Sequence, residues 1–542
     1  MRKTLAAIVV LLVVVASAAE PQGEPNLFES PAATTPEGQI DKLVLAKLSK
    51  LGIHPALCSD AVFVRRAYLD VIGTLPTAKE VREFLQDPDT RNKRSRLIDR
   101  LLEREEFAEY WAMKWGDILR IKAEFPVNLW PNAAQAYHRW VRASIAENKP
   151  YDKFERELLT SSGSNFRVGP VNFYRAIQDR TPEGIATAVA LTFMGTRTES
   201  WPTNQLAGLA AFFSQVGYKP TREWKEEVVF WDPFDACARA CDNASNTVAA
   251  LTTNGTPRAA VFPDGKRARL SPDRDPREVF ADWLITPKNP WFTRNIVNRV
   301  WAWLLGRGII NEPDDIRPDN PPSNPALLAY LQNQLVASHY DLKHLYRLIL
   351  NSRTYQFSSV PRGDVAQAEA NFGCYAVRRL EAEVLIDAIN KVTGTSDLYT
   401  SAIPEPFTYI PEDQPAIAVA DGSITSPFLA LFGRSARATG MVNERSNKIL
   451  PAQWLHLLNS SHIQRKLEQG PALKAIIASG RKQPEITEEL YLTILSRFPT
   501  PEEVKIVEDY GKRGRPRAVK RREDWVDIAW ALINSPEFLY RH

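Results

Sequence analysis

The sequence lacks every short motif that would name a reaction. It holds no G-x-S-x-G elbow, no H-E-x-x-H, no P-loop and no G-x-G-x-x-G in a fitting context. It also lacks C-x-x-C-H, the motif through which c-type haem is attached covalently. We therefore predict no cofactor and no covalent haem, and function has to be sought in clusters of polar residues.

Cysteine is scarce as well: the chain has four, Cys58, Cys237, Cys241 and Cys374. An even number permits disulfides in an oxidising compartment, but their pairing cannot be read from the sequence. Cys237 and Cys241 are four positions apart with no adjacent histidine, a spacing that suits neither haem attachment nor a zinc pair. His456 and His462 are six apart, which places them on different faces of one helix, so we predict no metal site.

The chain has no strong charge of either sign. Its net charge is +4, from 68 Lys and Arg against 64 Asp and Glu, so there is no overall field to recruit a polyanion. The basic run KRGRPRAVKRR, 512–522, contains no aromatic residue, and stacking aromatics are typical of single-strand binding. We predict a solvated loop there and no nucleic-acid partner; the alternative is contact with an acidic glycan or a membrane surface.

Only one apolar run is long, and it lies at the N-terminus. Arg2 and Lys3 precede the run Leu5–Val15, and Ala16-Ser17-Ala18 resembles a cleavage site, so we predict a signal peptide over 1–19. The run is shorter than the roughly 20 residues that a membrane span needs. We expect an exported protein, periplasmic or extracellular, with no membrane span after cleavage; the alternative is a retained N-terminal anchor.

The remaining chain is dominated by apolar residues at helical spacing, interrupted by short breakers. The fold class that we predict is mostly α, a multi-helical two-domain protein with a small β-containing insert. Within that insert, Asp264-Gly265 between apolar and basic flanks predicts a hairpin. The predicted segments are the signal peptide 1–19, a flexible leader 20–37, an N-terminal helical domain 38–216, the insert 217–270 and a C-terminal helical domain 271–542.

Two segments far apart in the chain share one pattern. YLDVIGTLPTAKEV begins at Tyr68 and YLTILSRFPTPEEV begins at Tyr491. In each, a threonine can cap the next helix while a glutamate three positions later reaches back, and these pairs are Thr77 with Glu80 and Thr500 with Glu503. We predict two capping boxes and a duplicated helical module; the alternative is chance similarity between two common capping sequences.

The stretch from Asn289 onward combines polar residues on one helical face with an acidic, proline-rich loop. Donors on the helix and carboxylates after the Gly306-x-Gly308 turn can line one cleft. The alternative is a structural network that pins the loop to the helix, and we favour it because buried ion pairs commonly fix geometry. The candidate cleft residues are Arg294, Asn298, Arg299, Asp314, Asp315 and Asp319.

A second polar cluster precedes a helix that begins near Pro451. The free amides at a helix N-terminus favour an anion, so this cluster is a candidate anion-binding site. The alternative is that its charges pair with helices of the same domain. The candidate residues are Arg434, Arg437, Glu444, Arg445 and Asn447.

Tryptophan is abundant, with fourteen in the chain. Trp111 and Trp115 are one turn apart on an amphipathic helix, and we expect both to pack in the core with the indole N–H bonded. An exposed indole in an exported protein would instead be suited to stack on a sugar ring. Trp201, flanked by Glu199, Ser200 and Pro202, is the exception among these core predictions.

Several long blocks resemble a known family. FVRRAYLDVIGTLPTAKEVREFL, DPREVFADWLITPKNPWFTRNIVNRVWAWLLGRGI and DLKHLYRLILNSRTYQFSS, together with RRLEAEVLIDAI and LPAQWLHLLNSSHIQRKL, are similar to secreted planctomycete proteins. Those proteins couple a planctomycete cytochrome-type domain to a planctomycete-specific C-terminal domain. Typical members carry C-x-x-C-H just before a segment like LAGLAAFFSQV, whereas MGTRTESWPTNQ, 194–205, has neither cysteine nor histidine. The resemblance therefore implies compartment and architecture but not haem.

From these observations we expect an exported binding or assembly protein, a haem-less relative of the cytochrome-type proteins that acts beside secreted catabolic or redox machinery. Its expected partners are secreted enzymes or redox proteins, or an anionic glycan. The alternative is a hydrolase that acts on an acidic or sulfated polysaccharide through the Arg/Asn/Asp cleft. Unpaired carboxylates in an open pocket would favour the hydrolase, and a buried, fully paired acidic loop would favour binding.

Overall fold

The computed structural model describes residues 26–234, 252–253, 256–257, 259–510 and 520–542. These residues are mostly α-helical, which confirms the predicted fold class. The predicted signal peptide, Cys237, Cys241 and most of the basic run 512–522 lie outside the described residues. Among those that are described, no helix has both the length and the apolar character needed to cross a bilayer.

The N-terminal half is a series of helices joined by short turns. Their bounds are Gln39–Lys50, Asp60–Val71, Ala78–Gln86, Lys93–Leu102, Glu105–Ile118, Pro131–Ala146, Tyr151–Thr160, Asn172–Arg175, Pro182–Val189 and Thr203–Ala210. A single π-helical turn, Ala190–Met194, follows the ninth of these. The helix Glu105–Ile118 is almost entirely buried and includes Trp111 and Trp115, as predicted; the Trp111 indole donates to the Val71 carbonyl at 3.1 Å.

The strands are few and short. Antiparallel strands β4 (Val216–Pro220) and β5 (Glu227–Trp231) form a three-stranded sheet with β3 (Gly163–Ser164), which comes from the N-terminal helical segment. The other strands are β1 (Glu29–Ser30), β2 (Leu57–Cys58), β6 (Thr252–Thr253), β7 (Thr256–Pro257), β8 (Arg378–Arg379) and β9 (Tyr540–Arg541). The predicted Asp264-Gly265 turn is confirmed, because Val261 and Arg267 are bridged across it. The sheet is therefore partly built from the preceding helical segment.

The C-terminal half is again helical. Its helices are Pro276–Leu284, Pro290–Leu305, Pro325–Ala337, Leu342–Leu350, Val365–Ala370, Ala382–Thr393, Pro427–Leu431, Pro451–Asn459, Ser461–Gln469, Pro471–Ile477, Gln483–Ile494, Pro501–Asp509, Arg522–Ile533 and Pro536–Leu539. Between Gly394 and Ser426 the chain is mostly irregular, apart from a short 3₁₀ turn at Ala416–Ala418.

Both predicted capping boxes are present. The Thr77 hydroxyl accepts from the backbone N–H of Glu80 at 3.2 Å, and the Glu80 carboxylate accepts from the Thr77 N–H at 2.7 Å. Thr500 and Glu503 repeat this arrangement at 3.2 and 2.8 Å. The two related segments thus fold alike, while their origin by duplication stays a prediction.

Buried apolar residues form one continuous core that runs through both predicted helical domains. Buried arginines tie distant parts of the chain together across it. Arg65 donates to the carbonyls of Ile494 and Phe538 at 2.9 and 2.8 Å, and Arg66 donates to the His542 carbonyl at 2.9 Å. Arg541 in turn pairs with Asp70 at 3.0 Å. The N-terminal helices therefore complete their interior with residues from the far end of the sequence.

Candidate functional site

The helix Pro290–Leu305 carries the polar face on which the candidate cleft was predicted. The Asn289 side chain caps its start by accepting from the Trp291 N–H at 3.0 Å. Gly306 ends it with φ +82°, a left-handed conformation in which a residue without Cβ is favoured. Asn298 and Arg299 are fully buried, so their polar groups must find partners inside the protein.

Asn298 binds the backbone of the loop that follows. Its amide N–H₂ donates to the Ile310 carbonyl at 2.9 Å, and its amide oxygen accepts from the Ile310 N–H at 2.8 Å. The turn that allows this is tight: a Cβ on Gly308 would lie 2.2 Å from the Ile310 carbonyl oxygen. Asn298 therefore holds the start of the acidic loop through both groups of its amide, and its complete burial keeps it away from a substrate in solution.

Arg299 and Asp314 form a buried ion pair. A guanidinium nitrogen of Arg299 lies 2.9 Å from a carboxylate oxygen of Asp314, and both side chains are almost completely excluded from solvent. Arg299 also donates to the carbonyls of Leu191 and Thr192 in the π-helical turn. The second carboxylate oxygen of Asp314 accepts from the Val442 N–H at 2.6 Å. This pair thus joins four segments of the chain: the helix, the acidic loop, the π-helical turn and the segment around Val442.

The other predicted cleft residues do not join this pair. Arg294 is half-buried, and its Nε has no hydrogen-bond partner among the described residues. Asp315 and Asp319 instead lie 3.2 and 3.5 Å from one exposed guanidinium, that of Arg317. The predicted cleft is therefore corrected to a buried Asn298–Arg299–Asp314 connection and a separate surface group. The physical reason is that the bond from Asn298 to the loop turns Asp314 inward and its neighbours outward.

The second predicted cluster is buried and charge-paired. Asp117 lies 3.0 Å from Arg437 and 2.8 Å from Arg445. The carboxylate of Glu383 lies 2.5 Å from a guanidinium nitrogen of Arg445 and 3.2 Å from one of Arg434. We call these five residues the ion network.

The ion network holds its charges firmly. Burial alone would raise the pKa of Glu383, but the guanidinium groups of Arg445 and Arg434 outweigh burial and lower that pKa to about 2. Burial alone would lower the pKa of Arg445, but the carboxylates of Asp117 and Glu383 raise that pKa well above its usual value. Glu383 is therefore ionised at neutral pH, and the arginines that an anion would have needed already lie against Glu383 and Asp117.

The remaining residues of the predicted anion site serve the loop itself. Glu444 accepts from the backbone N–H groups of Ala438 and Thr439 at 2.9 and 3.3 Å. Asn447 is exposed and lies outside the ion network. At the start of the helix Pro451–Asn459, the Gln453 side chain accepts from the Leu450 N–H at 3.1 Å. The predicted anion site is therefore corrected to a structural cluster, because protein carboxylates already occupy its arginines.

Sequence reasoning did not find the carboxylates of this region. Asp117 comes from the helix Glu105–Ile118, more than 300 positions before its arginines, and Glu383 from the helix Ala382–Thr393. A neighbouring carboxylate is paired in the same way, because Glu381 forms ion pairs with both Lys114 and Arg541. Each of these acids looks like an ordinary member of an amphipathic helix, so the sequence carries no local signal for its partner.

The two histidines are not on one helix. His456 belongs to Pro451–Asn459 and His462 to Ser461–Gln469, so the argument from helical spacing was wrong for them. Their ring nitrogens lie 3.3 Å apart. No group of three or more His, Cys, Asp or Glu side chains arranged to hold a metal ion occurs in the part of the chain that the structure describes.

In the stretch 194–205, where the similar proteins carry a haem-attachment motif, this chain has other residues. Thr198 is buried and its hydroxyl lies 2.9 Å from that of Thr187, while Trp201 is half-buried against the core. Cys58 and Cys374 are buried, unpaired thiols. Burial raises the pKa of the Cys374 thiol to about 11, which keeps it protonated and unreactive at neutral pH.

Comparison with known families assigns both halves of the chain. Residues 39–215 match PSCyt2, described as a protein of unknown function (DUF1549), and residues 276–510 match PSD1, also described as a protein of unknown function (DUF1553). No curated protein and no solved structure matches the chain. The chain therefore carries a PSCyt2 match followed by a PSD1 match, which is the pairing of domains that the sequence resemblance implied.

Proposed function

We propose that the chain is an exported binding or assembly protein that acts beside secreted catabolic or redox machinery. The observation that supports binding over catalysis is the pairing of the buried carboxylates at the candidate site. Asp314, Asp117 and Glu383 each face at least one guanidinium at 3.2 Å or less. A general acid or base has to come within hydrogen-bond reach of its substrate, and carboxylates buried against arginines are poorly placed for that task.

Binding needs a surface, and one region of the described chain offers an unusual one. Three loops bring aromatic side chains to the solvent: Phe125 and Trp130 from one, Trp224 from a second, and Phe407 and Tyr409 from a third. We call these five residues the aromatic face. Phe125, Trp224 and Tyr409 are 80, 69 and 71% exposed. Soluble proteins seldom expose large apolar side chains together unless the patch contacts something.

Ring contacts and one cation connect three residues of the aromatic face, Trp130, Phe407 and Trp224. The rings of Trp130 and Phe407 lie 5.4 Å apart, edge to face. The ammonium of Lys225 lies 5.9 Å from the Trp130 ring centre and 5.3 Å from that of Trp224. A cation between two indoles is suited to an anionic group attached to a flat, partly apolar ring. We therefore propose an anionic polysaccharide as the partner, with aromatic rings stacked on its sugar faces.

The test is affinity electrophoresis of the purified chain in gels that contain a sulfated polysaccharide or its unsulfated form. We expect retardation by the sulfated gel, with Trp224→Ala weakening binding at least tenfold. Because Trp224 is largely exposed, the melting temperature should stay unchanged. Phe234→Ala is the matched control, since Phe234 is 81% exposed but follows the opposite end of strand β5.

Three results would contradict this proposal in different ways. Equal mobility in both gels would exclude the glycan, and retention of a secreted enzyme or redox protein through Trp224 would replace it with a protein partner. Release of reducing ends by the native chain, lost in Asp315→Asn, would establish the hydrolase instead. The last variant is informative because Asp315 is outside the buried pairs.

A further inference from the structure

Two histidine rings meet where one short helix ends and the next begins. His456 is in the last turn of Pro451–Asn459, and His462 is in the first turn of Ser461–Gln469. Ser460 between the helices has extended backbone angles, φ −74° and ψ 140°, which redirect the chain. The Nε2 atom of His456 then lies 3.3 Å from the Nδ1 atom of His462.

That distance fits a hydrogen bond between the two rings, and it also fits two nitrogens bound to one metal ion. Two nitrogens bound to one tetrahedral zinc at about 2.0–2.1 Å are roughly 3.3–3.4 Å apart. A hydrogen bond donated by a ring N–H is usually about 2.7–3.2 Å long. The observed separation lies in the first range, so the two nitrogens are already spaced as ligands of one ion, while without the ion the same contact serves as a hydrogen bond.

Asp397 sets the protonation of one ring. Its carboxylate lies 2.8 Å from Nε2 of His462, and its other oxygen lies 3.2 Å from the ammonium of Lys466. The ion pair keeps Asp397 ionised, so Nε2 of His462 must carry the proton that the carboxylate accepts. The lone pair of His462 is therefore on Nδ1 and faces His456. A carboxylate behind a histidine in this way is a frequent feature of metal sites.

The surroundings hold the rings in place and leave a way in. The Phe428 ring lies 5.6 Å from the His456 ring and 6.0 Å from the His462 ring, in both cases edge to face. The side chain of His462 is 29% exposed. The histidine pair therefore lies at the protein surface rather than in the core.

We propose that Nε2 of His456 and Nδ1 of His462 bind one divalent ion of the zinc or copper type, with Asp397 as the positioning residue. Among the described residues no third His, Cys, Asp or Glu side chain is placed to complete the site, so water or a donor from a bound partner fills the other positions. On binding, the proton on Nε2 of His456 moves to Nδ1 of the same ring, and both rings stay neutral. This inference is independent of the proposed glycan binding.

Isothermal titration of the full chain, stripped with chelator and free of any affinity tag, tests it with Zn²⁺ alone and then Cu²⁺ alone. We expect one ion per chain, with Cu²⁺ bound more tightly than Zn²⁺. Replacing either His456 or His462 with alanine should remove the binding. Asp397→Asn should weaken it 10- to 100-fold, the usual effect of losing a group behind a ligand. His54→Ala, at an exposed histidine elsewhere, should leave it unchanged.

A second measurement decides the matter if a variant fails to fold. In native protein with ¹⁵N-labelled histidine, Zn²⁺ should shift Nε2 of His456 and Nδ1 of His462 and leave the His54 ring unaffected. Absence of binding to the native chain would overturn the proposal. So would binding that survives both alanine variants, or Zn²⁺-dependent shifts confined to other histidines.

Discussion

Glu383 and Asp387 lie one turn apart on the helix Ala382–Thr393, and both are buried, yet their environments are opposite. Glu383 faces two guanidinium groups, and its pKa falls to about 2. Asp387 has no such partner among the described residues and accepts two backbone N–H bonds, at 2.8 and 3.0 Å. Burial, reinforced by the nearby charges of Glu383 and Asp397, outweighs those bonds and raises its pKa to about 7.

The difference shows that burial alone does not determine the state of a carboxyl group. Desolvation disfavours the charged form of both acids, and only a nearby cation reverses it. Both cations beside Glu383 come from the irregular segment 433–450, so a change of that segment would alter the chemistry of a helix that is otherwise intact. Variants that remove one negative charge or one hydrogen-bond acceptor test this difference.

The largest effect should follow Glu383→Gln, which leaves Arg445 and Arg434 buried with less negative charge. Breaking a buried pair in this way typically costs about 3–5 kcal/mol, so we expect a loss of that size in the free energy of unfolding at pH 7. Urea denaturation measures it, with Glu412→Gln as the exposed control. A loss below about 1 kcal/mol would mean that solvent compensates the arginines.

The same variant has a defined pH dependence. Because the pKa of Glu383 is about 2 when folded and near 4.5 when unfolded, its contribution to stability is complete above pH 4.5 and is lost as pH falls toward 2. The destabilisation caused by Glu383→Gln should therefore shrink in acid. A penalty that stays constant down to pH 2.5 would contradict the assigned pairing.

Asp387→Asn should show the opposite trend. The pKa of Asp387 is raised in the folded state. Between about pH 3.8 and 7 the folded state therefore keeps a proton that the unfolded state has released. Stability falls as pH rises through that window. Asparagine does not titrate there. Relative to the native chain, the variant should gain at most about 1.4 kcal/mol per pH unit across the window. Denaturation at pH 4.5, 6 and 8 measures this, and parallel curves would show that Asp387 is not shifted.

A smaller effect is expected where the acceptor of a backbone N–H is an exposed hydroxyl. Thr77→Ala and Thr500→Ala each remove an observed helix cap, so each should lower the free energy of unfolding by about 1 kcal/mol. Thr77→Ser and Thr500→Ser retain the hydroxyl and serve as controls. Serine variants as unstable as the alanine variants would place the loss in the methyl group rather than in the cap.

The smallest effect should follow Asp315→Asn. Asp315 pairs with Arg317, whose side chain is 46% exposed, and exposed pairs contribute roughly 0.2–1 kcal/mol. The adjacent Asp314→Asn breaks a buried pair and should cost several times more. Side-by-side thermal melts of the two variants compare neighbours that differ mainly in burial. Equal losses would show that the loop does not separate them as the structure indicates.

Local features of this fold were readable from the sequence. The helical spacing, both Thr–Glu capping boxes, the turn at Asp264-Gly265 and the burial of Trp111 depend on residues within a few positions of one another. Such patterns are set by short-range geometry and by the contrast between apolar and polar faces. The structure agrees with the sequence at each of these points.

Only part of the candidate site could be predicted from the sequence, because tertiary packing decides which charged residues become partners. The arginines at 434, 437 and 445 stood out as a cluster, but Asp117 did not, since nothing near it in sequence marks it as their counter-charge. The contact between His456 and His462 was missed for a different reason. A single extended residue, Ser460, divides what the apolar spacing presents as one helix.

The bonds that Arg66 and Arg541 make across the core affect how the chain can fold. They join positions separated by 476 and 471 residues, so closing them orders nearly the whole chain at once. The entropy of closing a loop grows only slowly with its length, but contacts of such high order form late and slow the search for the native state. Until the later segments dock, buried Asp70 lacks the guanidinium of Arg541 and also the hydroxyls of Tyr355 and Tyr375 from which it accepts. We therefore expect refolding to pass through a long-lived intermediate in which the N-terminal helices have formed but water still enters the space between them. A fragment that ends at residue 215 should remain in this state.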